Sequence, residues 1–97
     1  MTRFIVSETH TPNKNQQTAQ AQLLEAAIGK IPEAKVVETK EKGKNYLVES
    51  SMGAVELATA ISSQLDNPTL KNELAKVAGL EQLIKDMKQN LSVNQAQ

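Results

Sequence analysis

Cysteine and tryptophan are absent from these 97 residues, and Phe4 and Tyr46 are the only aromatic side chains. Without cysteine the chain has no disulfide, no thiolate nucleophile and no cysteine-ligated zinc or iron–sulfur site, a composition that fits a reducing cytoplasm. His10 is the single imidazole. One histidine builds no histidine-rich metal site, and a catalytic one needs a nucleophile or an acid placed beside it, so His10 reads as a solvated loop residue. Lysine plus arginine and aspartate plus glutamate number 11 each, giving zero net charge, so no basic surplus points to nucleic acid or anionic lipid. The longest apolar runs, such as Phe4-Ile5-Val6, span three residues, far below a membrane span. Ser7, Glu8 and His10 also interrupt any signal-peptide-like stretch at the start. The expectation is a small cytoplasmic protein with no membrane segment.

Recognised site motifs are missing as well. No serine stands in G-x-S-x-G or S-x-x-K, which removes the marks of a serine nucleophile. Gly29-Lys30 and Gly43-Lys44 match the end of a P-loop only as dipeptides, without the other glycine or the following Ser/Thr that a phosphate cradle needs. The carboxylates are scattered and most alternate with lysines. No catalytic, cofactor or metal residue is assigned, and no enzyme activity is expected.

What the chain does contain is periodicity. Arg3-Phe4-Ile5-Val6-Ser7 is a run of β-formers that reads as a strand. Thr11-Pro12 reads as a helix start, with the helix running to about Ile28 and Gly29 as a left-handed stop. Its apolar stripe is Ala21, Leu24, Ala27, Ile28 and Ile31, while Asn13 to Thr18 is wholly polar. Residues 34–41 and 45–50 read as two strands joined through Lys42-Gly43-Lys44, a β-hairpin. In the second of these, Tyr46 and Val48 alternate with Leu47 and Glu49, so each strand has one apolar and one largely polar face.

Helical spacing then takes over. Ser50 or Ser51 caps a helix with the stripe Ala54, Leu57, Ala58, Ile61 and Leu65. Asp66-Asn67-Pro68 breaks it and starts another. Val77, Leu80, Ile84, Met87 and Leu91 step by three and four residues, an a/d seam in which Gly79 is the weak point.

The order of elements is β-α-β-β-α-α. It resembles a ferredoxin-like split β-α-β arrangement lacking the fourth strand: an α+β fold with a three-stranded antiparallel-type sheet, order 2-3-1, covered on one face by helices. Residues 1–91 form one domain and residues 92–97 a polar, disordered tail. In this topology the first strand has a free edge, a template for another chain. The apolar fraction of 39% is below the usual ~45–50%, so the core is thin and gains from a partner surface. The expected function follows: a small non-enzymatic protein–protein interaction or regulatory module, acting as a homodimer. Its surfaces are the strand edge Phe4, Ile5 and Val6 and the C-terminal helix face Leu80, Ile84, Met87 and Leu91. The competing expectation is a nucleic-acid-binding regulator. It would use residues 55–79 as a helix-turn-helix with Lys71, Asn72 and Lys76 on the recognition face, or the hairpin lysines Lys42 and Lys44.

Overall fold

The computed structural model describes residues 1–96. The chain alternates β1 (Thr2–Glu8), α1 (Gln17–Gly29), β2 (Ala34–Glu41), β3 (Asn45–Ser50), α2 (Ala54–Leu65), α3 (Pro68–Glu73), α4 (Leu80–Gln89) and β4 (Leu91–Gln95), with a single 3-10 turn at Lys14–Gln16. The sheet is antiparallel with four strands in the order β2-β3-β1-β4. The three-stranded sheet expected from the sequence is therefore corrected: a fourth strand is present and completes the β-α-β-β-α-β arrangement. The supposed tail from Ser92 supplies that strand. Val93 lies opposite Val6, and Leu91 opposite Glu8. Gln97 lies outside the described residues.

Alternation decides which side of the sheet the helices cover. Phe4 and Val6 on β1 and Tyr46 and Val48 on β3 point to one face. There they meet Leu23, Leu24, Ala27 and Ile28 of α1, Leu57, Ile61 and Leu65 of α2, and Leu80, Leu83, Ile84 and Met87 of α4. Leu91 and Val93 pack against the same core from β4. The thin apolar complement thus closes within one chain, because β4 adds Leu91 and Val93 to what the three expected strands and their helices supply. No helix among the described residues is long and apolar enough to cross a membrane.

Local chemistry sets the boundaries. Thr11-Pro12 does not start α1: the chain reaches it through the 3-10 turn, and the polar stretch before Gln17 stays outside the helix. Gly29 is the last helical residue and has no left-handed backbone. Gly43 does, with φ 79° in the hairpin turn, and it lies so close to α1 that a Cβ there would stand 3.3 Å from Ala21 Cβ. Ser50 and Ser51 do not cap α2. Gly53 precedes it, and Glu56 Oε1 accepts the Gly53 N–H at 3.0 Å. Asn67 caps α3 through Oδ1, which accepts the Thr69 N–H at 2.9 Å, with Pro68 at the first helical position.

The apparent seam from Val77 to Leu91 is not one helix. Gly79 adopts φ 73° and α4 begins only after it. It ends at Gln89, so Leu91 belongs to a strand.

Candidate functional site

Most of the residues expected to bind a partner are spent inside the fold. Phe4 and Val6 are buried under the helices, and Leu80, Ile84 and Met87 lie in the same core. The free edge of β1 does not exist, because β4 pairs along Phe4 to Glu8. Leu91 is half-buried in β4, against the core. Of the seven residues assigned above, only Ile5 faces away from the helices.

Ile5 sits at the centre of the uncovered face. Cross-strand register brings Leu47 of β3 opposite it on one side and Asn94 of β4 on the other. Glu38 of β2 lies beyond Leu47, completing the middle row. The row toward one end is Lys35, Glu49 and Arg3, where Arg3 Nε donates to Glu49 Oε2 at 3.1 Å. The row toward the other end is Glu41, Asn45, Ser7 and Ser92. Ile5 and Leu47 are half-buried, yet neither belongs to the core or packs against it. Two adjacent aliphatic side chains on the central strands, ringed by charged and amide groups, have the pattern of an interaction surface: an apolar centre with a polar rim.

A second concentration of polar chemistry lies on the helix side, where β1 ends and the hairpin turns. Glu8 is 1% exposed. Its Oε2 accepts the His10 N–H at 3.0 Å, and its Oε1 has no hydrogen-bond partner. Burial pushes the Glu8 carboxyl up to about 7, against the lowering pull of the His10 N–H and of Lys44. Gln20 of α1 is equally buried and donates from Nε2 to the carbonyls of His10 and Gly43, at 3.0 Å each, leaving its own Oε1 without a donor. Tyr46 closes the arrangement. Its hydroxyl donates to Glu25 Oε2 and accepts the Gly43 N–H, both at 2.7 Å. Burial, then the Glu25 carboxylate, hold that phenol well above its ordinary range, so it stays protonated. These bonds tie α1, the hairpin turn and the loop after β1 into one unit. With Glu8, Gln20 and Tyr46 themselves buried, they serve as a structural joint.

His10 is half-buried, 3.9 Å from Asp86 Oδ2 of α4, and is not the freely solvated loop residue expected.

The lysines proposed for nucleic acid do not form one surface. α3 has six residues, too short for the recognition helix of a helix-turn-helix. Lys71 is drawn between Asp66 at 3.8 Å and Glu81 at 3.5 Å. Asn72 is exposed on α3, and Lys76 is exposed beyond its end. Lys42 and Lys44 border a different groove, beside Thr11 and Gln17, where Lys44 Nζ donates to Thr11 Oγ1 at 3.1 Å. A groove of about 620 Å³ between α2 and α4 is rimmed by Ser62, Asp66, Lys85 and Lys88. None of the unpartnered buried oxygens lies in it. Lys88 donates to Asp66 there and holds the aspartate below its ordinary range.

Fold and face together define a class: a small α+β domain whose antiparallel sheet is covered by helices on one side and open on the other. Comparison with protein-family models, with curated proteins and with solved structures finds no match.

The sequence alone assigns no site role to Leu47, Glu8, Gln20 or Tyr46. The signal for Leu47 was present in the alternation of β3, where it falls out of phase with Tyr46 and Val48. That Ile5 stands beside it depends on register, which no local pattern carries.

Proposed function

We propose that this chain is a small, non-enzymatic protein–protein interaction module that works as a homodimer through the open face of its sheet. The observation that carries this is the Ile5–Leu47 pair. A core that closes within the chain leaves these two aliphatic residues on the far side of the central strands, uncovered by any element. Burying them against another surface removes apolar area from water, the general driving force for association. Arg3, Lys35 and Lys40 stand against Glu38, Glu41 and Glu49 around them, so the face neither repels a like surface outright nor attracts polyanions. The non-enzymatic part of the reading rests on where the groups shifted by burial lie: Glu8 and Tyr46 are buried within the joint, while Asp66, lowered by Lys88, is engaged in a surface ion pair.

The test is a concentration series by analytical ultracentrifugation on the wild-type chain and on Ile5→Lys, with circular dichroism confirming that the variant is folded. Leu47→Lys serves as a second variant on the neighbouring strand. Concentration-dependent dimerisation that both substitutions weaken supports the reading. Dimerisation that neither substitution changes refutes the choice of face.

A further inference from the structure

Resting on that reading, the cross-strand register fixes how two copies meet. We propose that the open faces pack about a two-fold axis running parallel to β1 and β3 and midway between them. Arg3 then meets the partner's Glu49, and Ile5 meets the partner's Leu47.

A face-to-face dimer has two simple choices of axis within the plane of the interface. An axis perpendicular to the strands keeps each strand over its own counterpart. It places Glu38, which has Lys40 Nζ 3.9 Å away, on the partner's Glu38, a like-charge contact at the edge of the middle row; it sets Lys35 over the partner's Glu41 and leaves Arg3 over the partner's Ser7. An axis parallel to the strands exchanges β1 with β3 and β2 with β4. Each cross-strand pair is then read by itself: Arg3 over the partner's Glu49, Ile5 over the partner's Leu47, and Ser7 over the partner's Asn45. In the outer columns Glu38 falls on the partner's Asn94 and Glu41 on the partner's Ser92. No like charges oppose in these rows. The isologous contact of a two-fold dimer demands this self-complementarity. Sheets packed with their strands nearly aligned, offset by about 30° through their twist, retain such a register best near the axis, where β1 and β3 lie.

Size sets the expected strength. The sheet has four strands, and at about 4.8 Å between strands and about 3.4 Å per residue its face measures roughly 20 by 20 Å. Two such faces lie at or below the low end of specific interfaces, so the dimer is weak and concentration-dependent.

The register is tested with Arg3→Glu and Glu49→Arg, measured separately and mixed, by ultracentrifugation and native mass spectrometry. Each variant alone loses its own Arg3–Glu49 pair and opposes like charges in the dimer. Its self-association weakens by about tenfold, as two exposed charge contacts change sign. In the mixture, Glu at position 3 of one chain meets Arg at position 49 of the other, and the wild-type contacts meet on the opposite side. Heterodimer formation recovering toward wild-type strength, although neither chain has regained its internal pair, is the expected result. Variants that dimerise like the wild type, with no preference for the mixed species, overturn the register and leave the face standing. A wild-type chain that remains monomeric at about 1 mM, where even a very weak complex would be half formed, overturns the homodimer itself.

Discussion

Replacing Glu8 by glutamine should change how stability depends on pH far more than it changes the fold. The carboxyl is buried at the end of β1, with its ordinary value of 4.5 raised to about 7. Between those two values the unfolded chain has released the proton and the folded chain still holds it, so unfolding becomes progressively easier as pH rises. The stabilisation is complete below about pH 4.5 and exhausted above about pH 7. At 1.36 kcal/mol for each unit, the span amounts to about 3 kcal/mol, a large share of the roughly 5–15 kcal/mol that holds a domain together. Glutamine keeps an oxygen to accept the His10 N–H and has no proton to lose. Urea denaturation of both proteins at intervals from pH 4.5 to 8 gives the difference between them, in which the other carboxylates cancel. That difference should be flat at the acid end, move in favour of Glu8→Gln by up to about 3 kcal/mol by pH 7 to 8, and level off. A difference that stays constant across this range would refute the argument, and one that moves in favour of the wild type as pH rises would reverse its sign.

Three further substitutions follow, two at the joint around the hairpin and one at the end of α1. Tyr46→Phe removes the acceptor of the buried Gly43 N–H and the donor to Glu25, and should cost about 1–3 kcal/mol in denaturant titration; an unchanged midpoint would show that the bonds contribute nothing net. Gly43→Ala and Gly29→Ala should act in opposite directions in the same assay. The first forces a left-handed backbone, at about 1–2 kcal/mol, onto a Cβ tight against Ala21. The second has open space and ordinary helical geometry, and should stabilise by about 0.4–1 kcal/mol.

The elements legible in the sequence are those with local causes. The stripe of α1, the alternation of β3, the glycine of the hairpin and the Asn67-Pro68 helix start each draw their signal from neighbours a few residues away. β4 has no such cause. Leu91-Ser-Val-Asn-Gln follows a polar helix end and carries two aliphatic residues, and it is a strand because β1 offers it a row of backbone partners. The same non-local pairing explains the misread surfaces. Spacing from Val77 to Leu91 imitates a helical seam, but Gly79 turns left-handed before α4 starts, and Leu91 completes the pattern from another element. The strand edge read as free was real only for a sheet without β4. Ile5 lies on that edge only in a three-stranded sheet; in the four-stranded one it shares the open face with Leu47.

The pairing of β1 with β4 also imposes an order in time. β1 is synthesised before the other strands and β4 after them, with α1 to α4 between the two. Until β4 has emerged, one side of β1 has no strand beside it, and Phe4 and Val6 lack Val93 and Leu91 at the border of their core. The contact that finishes the sheet is therefore the longest-range strand pairing among the described residues, and closing so large a loop is slow compared with forming the hairpin or the helices. During that interval the nascent chain presents an unpaired, strongly β-forming strand to its surroundings. Whatever protects it then acts before the domain exists as a folded object.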